Sequence, residues 1–209
     1  MKRMGYILII IGAVLAVIGL VLVLHKSKVE IVEVAAPVEE EVVSLPISSD
    51  SAKTVTNEQK GRDFEIWVKD HFNQDFFTLK EWRGDKYDKG TYAESNRYPD
   101  MEWEFHFDKE NVTETFAVEC KWRSDFYNGS IEWASEENIA IYNRFANDRN
   151  MPVFVIIGVC GTPSAPQEVY VVPLKALQYP YAKKEYLKKF RHEDLTKKFF
   201  FQYKEGKLM

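Results

Sequence analysis

Two short motifs, Pro99-Asp100 and Glu119-Cys120-Lys121, carry the residue types in this chain most able to do chemistry together. In FAVECKWR (116–123), Phe116, Val118, Cys120 and Trp122 alternate with Ala117, Glu119, Lys121 and Arg123, which is the period of a strand. Residues two apart on a strand share a face about 6.6 Å apart, so Glu119 and Lys121 point the same way. The preceding stretch alternates as well, with Met101, Trp103, Phe105 and Phe107 on one face and Asp100, Glu102, Glu104 and His106 on the other. The short connection predicts an antiparallel hairpin. A turn at 109–112 sets Asp100 against Lys121 and Glu102 against Glu119, and a shift of two residues sets Asp100 against Glu119. Either register brings two carboxylates together across the strands, which destabilises the pair unless a cation lies between them. Lys121 fills part of that role and a divalent ion fills it better. One or two carboxylates beside a phosphate suit Mg²⁺, with Mn²⁺ as the substitute.

The elements that must hold these motifs follow from periodicity. Asn57 reads as the cap of a helix over 57–72, with Phe64, Trp67, Val68, His71 and Phe72 on its buried stripe. Strands are expected at 76–82, 98–107, 114–123, 153–160 and 168–173, and a helix at 134–148. Residues 83–96 form a polar, Gly-containing loop, with turns at 108–113 and 161–166. The order is α-β-β-β-α-β-β, an α/β fold with a mixed sheet.

At these residues the chain resembles the PD-(D/E)xK nuclease superfamily, the restriction-endonuclease-like fold, over about 57–173. The resemblance rests on Pro99-Asp100, the Glu119-Cys120-Lys121 triplet on the following strand, Glu65 in the preceding helix (GRDFEIWV), and the α-β-β-β-α-β order. It implies that Asp100 and Glu119 ligate Mg²⁺, that the Cys120 carbonyl completes the set, and that Glu65 acts as a further ligand or through water. It also implies that Lys121 positions the attacking water. Asn138-x-x-x-Tyr142 is similar to a Gln-x-x-x-Tyr element of some members, with Asn in place of Gln. The expected activity is metal-dependent hydrolysis of phosphodiester bonds in DNA, RNA remaining open as a substrate. The alternatives are a catalytically inactive module of the same fold that binds nucleic acid or a protein partner, and a scaffold.

Other chemistry-bearing residues fit a simpler role. Glu102 and Glu104 read as solvent-facing or supporting. Cys120 and Cys160 lie on apolar strands as small core residues and lack metal spacing. His25, His71, His106 and His192 form no ligand pattern. The formal net charge of −4 gives no global footprint for nucleic acid, but the charge is segregated. Residues 175–209 hold ten Lys/Arg and four acids, with aromatics interleaved. That pattern suits a phosphate-tracking patch with stacking groups, a helix with buried aromatics and a solvated basic face, or attraction to anionic lipid heads.

The N-terminal quarter has a different composition. Residues 5–24 (GYILIIIGAVLAVIGLVLVL) hold no charge, and a helix of that length spans about 30 Å, the thickness of a bilayer core. A cleaved signal peptide would have a shorter apolar run followed by small residues. Here His25-Lys26-Ser27-Lys28 follows, so 1–28 is expected to be a single-pass anchor in the lipid bilayer. Gly12, Ala16 and Gly19 share a helical face that would permit a homodimer. Residues 29–56 carry an acidic cluster and two prolines and read as a flexible tether, leaving 57–209 as the nuclease-like domain. Flanking charge leans towards an external domain, whereas the free thiols and a nucleic-acid substrate favour the cytoplasmic face.

Overall fold

A computed structural model describes residues 55–83 and 97–209. The apolar run 5–24, the tether up to residue 54 and most of the loop at 83–96 lie outside the described residues. Among the described residues no helix is long and apolar enough to cross a membrane.

Helix α1 (Asn57–Asp70) opens one residue earlier than the sequence pattern suggests, because the cap is Thr56, not Asn57. The Thr56 hydroxyl oxygen accepts from the Gln59 N–H at 3.1 Å, satisfying one of the helix's orphan donors. Strands β1 (Phe77–Trp82), β2 (Met101–Phe107) and β3 (Val112–Arg123) follow as an antiparallel meander. After β3 come a three-residue strand β4 (Ser130–Glu132), helix α2 (Glu136–Arg149) and strand β5 (Val153–Thr162). Ser135 caps α2, its Oγ accepting from Asn138 N–H at 3.2 Å, and Asn150 closes the helix in the left-handed region at φ 47°. Strand β6 (Ala165–Pro173) then pairs antiparallel with β5.

The five-stranded sheet runs β1-β2-β3-β5-β6, and β3 and β5 are parallel. That parallel pair lies at the centre, which explains why VFVIIGV reads as an uninterrupted apolar run: both of its faces are covered. One face packs Met101, Trp103, Phe116, Val118 and Cys120 against Phe64, Val68 and Phe72 of α1. The other packs Ala117, Val155 and Ile157 against Ile139, Tyr142 and Phe145 of α2. Gly158 of β5 lies directly beneath the Phe64 ring of α1. A Cβ there would lie 2.4 Å from Phe64 Cε2, so only glycine admits the ring.

Two further features aim side chains. Between β2 and β3 the turn is Asp108–Asn111, with Asn111 left-handed at φ 51°, and Phe107 pairs with Val112. This selects the second of the two registers that the sequence allowed. In β1 a bulge at Lys80 breaks the pairing with β2, so that Leu79 opposes Trp103 and Glu81 opposes Glu102. Phe77, Leu79 and Trp82 therefore all face α1, while Glu81 turns to the α2 side.

The C-terminal region holds short elements, together with strand pairings that no local pattern signals. These are β7 (Tyr181–Lys183), paired with β4, α3 (Lys184–Leu187), and the two-residue strands β8 (Phe201–Gln202) and β9 (Lys207–Leu208). Phe199, Phe201 and Leu208 seal the α1 side of the core.

Candidate active site

One step beyond the Met101↔Val118 pair, the β2–β3 register sets Asp100 opposite Glu119. Asp100 ends the segment before β2, where Pro99 has no N–H to extend the ladder. Its position is fixed from two sides: Cys120 N–H donates to Asp100 Oδ2 at 2.7 Å, and Arg83 N–H donates to the Asp100 carbonyl at 2.7 Å.

Glu119 is 1 % exposed, a carboxylate inside the fold. Its Oε1 accepts from the Tyr142 hydroxyl of α2 at 2.6 Å and pairs with Lys121 Nζ. Its Oε2 is buried and has no partner among the described residues. An orphaned buried oxygen costs about 1–3 kcal/mol, more when charged, so its persistence marks a site that something else is to satisfy.

Glu65 reaches the same end of the sheet from α1, with its Oε2 accepting from Trp82 Nε1 at 2.7 Å. The Lys80 bulge is what turns Trp82 towards it.

The four groups feel one another. Burial raises the Asp100 carboxyl well above its usual range, with the charges of Glu119 and Glu65 adding to the effect and Lys121 opposing it. Glu65 is raised as well, chiefly by burial, with Glu119 pushing the same way. Burial pulls the Lys121 ammonium down, but Glu119 and Asp100 outweigh it and hold Lys121 above the ordinary lysine range. Lys121 therefore stays charged. Burial and the neighbouring Glu119 push the Tyr142 phenol up, so it remains a protonated donor. The Cys120 thiol is raised well above its usual value by burial and the three carboxylates, which leaves it inert and makes its backbone the useful part.

Among the described residues, no three Asp, Glu, His or Cys side chains stand close enough to hold a metal ion as placed. The donors that do fit a hard cation form a narrower set. Asp100 and the unpartnered Glu119 Oε2 are cross-strand neighbours, carboxylate oxygens whose mutual repulsion Lys121 only partly relieves. That is the two-carboxylate, water-retaining arrangement Mg²⁺ takes.

One supporting residue escaped the sequence reading. Arg83, assigned there to a loop, is buried: its Nη1 donates to the Pro99 carbonyl at 2.7 Å, and its Nη2 meets Glu81 at 2.7 Å and also Glu102. It clamps the turn that presents Asp100, and its ring neighbours are Tyr98 and Phe145. Glu102 is accordingly a buried support and not a solvent-facing acid, because α2 covers the face expected to be polar. Tyr142 had a visible signal in the Asn-x-x-x-Tyr spacing, without an assigned partner. Cys120 is a core residue as expected. Cys160 is only half-buried and sits in the left-handed region at φ 60°.

No family model matches the sequence, and no curated protein matches it. Among solved structures, the chain is similar to a Holliday junction resolvase from the archaeal hyperthermophile Archaeoglobus fulgidus, at 14 % identity and a TM-score of 0.39, covering 63 % of this chain and 91 % of that one. The protein is a mixed α/β chain with a five-stranded mixed sheet.

Proposed function

We propose that this protein is a metal-dependent nuclease that hydrolyses phosphodiester bonds of DNA at the Asp100–Glu119–Lys121 cluster. The observation that carries the reading is the buried Glu119 oxygen without a partner, set beside a second carboxylate and a charged lysine. Asp100, Glu119 and the Cys120 carbonyl would hold Mg²⁺, with Glu65 contributing directly or through water. Bound there, the ion supplies a nucleophilic water at neutral pH and neutralises charge on the phosphate. The chain's own residues do the rest. Lys121, kept protonated, donates to the attacking water or to a phosphate oxygen and stabilises negative charge as it develops. Tyr142 holds Glu119 in one rotamer, and the Cys120 N–H and the Arg83 clamp hold Asp100 beside it.

A second reading, a non-catalytic module of the same fold that binds nucleic acid or a partner, is favoured by the absence of a three-side-chain cluster among the described residues. Incubating the full-length protein with supercoiled plasmid, linear duplex and RNA, in Mg²⁺ and then in EDTA, separates the two. Cleavage that needs Mg²⁺ (or Mn²⁺) and vanishes in Lys121→Ala supports the nuclease. DNA binding without cleavage in either metal supports the module.

The run at 5–24 is proposed to anchor the protein in a membrane, with the domain on the cytoplasmic face. The full-length protein should then resist alkaline extraction from membranes, and protease added to intact cells should spare the domain.

A further inference from the structure

The ten basic residues of 175–209 are not equivalent. Six are neutralised in place, by the pairs Lys184–Glu168, Lys188–Glu185, Arg191–Glu193, Lys197–Asp194, Lys204–Glu110 and Lys207–Glu205. A seventh, Lys198, donates to the Asp70 carbonyl. The remaining three, Lys175, Lys183 and Lys189, have no ion-pair partner among the described residues; two line one groove and the third stands over the Tyr186 ring at its edge. Lys175 and Lys183 line a cleft of about 410 Å³ with Tyr179, Tyr181 and Tyr186, and no carboxylate lines it. Lys189 Nζ stands 3.7 Å from the centroid of the Tyr186 ring.

The rings are presented to solvent. In the β4–β7 pair, Ile131 and Ala182 turn into the core, so their neighbours Tyr181 and Lys183 project outward. Tyr179 is 73 % exposed, Tyr181 64 % and Tyr127, beside Ser130, 82 %. An exposed large aromatic is unremarkable singly, but Tyr181 on the small sheet, with Tyr179 and Tyr127 in the segments leading into its two strands and unneutralised lysines beside them, matches a ligand that is both anionic and flat-faced.

The same surface is wired to the carboxylate site. Trp133, which follows β4, donates from Nε1 to the Tyr179 carbonyl at 2.7 Å, and its ring lies 6.4 Å from that of Tyr142, the donor to Glu119. Arg123, two residues beyond Lys121 on β3, donates from Nε to the Glu132 carbonyl at 2.7 Å, and Glu132 pairs with Tyr181.

We infer that the β4–β7 face is a stacking platform for unpaired nucleotides, so that the DNA presented to the carboxylate site carries a single-stranded segment. This rests on the nuclease reading and narrows its substrate class. Bases inside a duplex keep their faces against one another, whereas an unpaired strand offers them to the tyrosines while its phosphates meet the three lysines.

The test measures binding by the full-length protein in EDTA, so that cleavage plays no part, using fluorescein-labelled oligothymidine and a duplex of equal length. Wild type should prefer the single strand. Tyr179→Ala/Tyr181→Ala should weaken single-strand binding by about 10- to 100-fold and duplex binding by less than about twofold, while Tyr179→Phe/Tyr181→Phe should retain the wild-type affinity. Lys175→Gln/Lys183→Gln should reduce the salt slope by about 0.7 for each phosphate that is no longer neutralised. Both tyrosines are exposed, so melting curves of the variants should coincide with wild type. The platform is overturned if the alanine pair binds the single strand like wild type, or if the phenylalanine pair loses as much as the alanine pair. It is also overturned, in favour of a lipid surface, if the substitutions abolish binding to phosphatidylserine vesicles and leave single-strand binding unchanged. Failure of the nuclease reading looks different: single-strand binding then behaves as stated, and no DNA is cut in Mg²⁺.

Discussion

Replacing Asp100 by Asn and Lys121 by Ala should silence cleavage alike, yet move stability in opposite directions once metal is withheld. In Asp100→Asn the amide oxygen still accepts the Cys120 N–H, while a like charge beside Glu119 and Glu65 disappears. Removing such a contact gains up to about 1 kcal/mol, which raises Tm by about 2–4 °C for a chain of this size. Lys121→Ala does the reverse. It leaves Glu119, 1 % exposed and already lacking a partner at Oε2, with Tyr142 alone. Truncating one partner of a buried pair costs about 3–5 kcal/mol. Because Lys121 is itself 24 % exposed, the low end applies. A loss of about 3 kcal/mol corresponds to a fall in Tm of about 6–12 °C.

The pH dependence adds a second reading from the same samples. Folded Asp100 binds its proton more tightly than the unfolded chain does, so its favourable contribution is complete below the ordinary carboxyl value of 3.8 and is lost as pH rises through the folded-state pKa. The Asn variant lacks that slope, so its advantage should widen with rising pH. Thermal melts of the full-length protein in EDTA from acid to neutral pH, beside a plasmid assay in Mg²⁺, read all of these quantities. Two variants that both cleave refute the nuclease assignment. Loss of stability in both, or an Asn advantage that shrinks as pH rises, refutes the picture of an under-compensated carboxylate pair.

Tyr142→Phe removes the hydroxyl from Glu119 Oε1 without changing the ring, and should cost about 1.5–3 kcal/mol as a buried hydrogen bond to a charged group. Cleavage should then need more Mg²⁺ to reach half its maximum, and an unchanged Mg²⁺ titration would remove Tyr142 from the positioning of Glu119. Gly158→Ala forces a methyl to 2.4 Å from the Phe64 ring, so urea unfolding should show about 1–3 kcal/mol of lost stability, with lower cleavage as α1 carries Glu65 away. Wild-type unfolding in that variant would mean that α1 does not rest on β5 there.

The parts of this site that could be read from the sequence are those set by short-range periodicity. Strand alternation alone puts Glu119 and Lys121 on one face and brings Asp100 within one of two registers of them. The turn decided between those registers, because Asn111 accepts a left-handed backbone and so lets β3 begin at Val112. What stayed hidden depends on contacts between distant segments. Arg83 looks like a loop residue until Pro99, Glu81 and Glu102 surround it. Glu102 reads as either solvent-facing or supporting, and α2 covering that side of β2 decides for support. The β4–β7 pair joins residues about fifty positions apart through three residues each, too few for any pattern to announce. The anchor and tether lie outside the described residues, so composition alone speaks for them.

The bulge at Lys80 acts as a frameshift in the strand's two-letter code of inward and outward. Before it, odd-numbered residues face α1; after it, even-numbered ones do. Deleting Lys80 would remove the bulge and keep both destinations, because Leu79, Glu81 and Trp82 already oppose Trp103, Glu102 and Met101 in unbroken succession. Were Lys80 instead kept and paired regularly, the Trp82 indole would swing away from Glu65, and the Glu81 carboxylate would be driven under α1. β1 is an edge strand of this sheet, paired on one side only. Loss of Lys80 itself should therefore be tolerated, because the strand then keeps the phase that aims the indole holding Glu65 and the acid meeting Arg83.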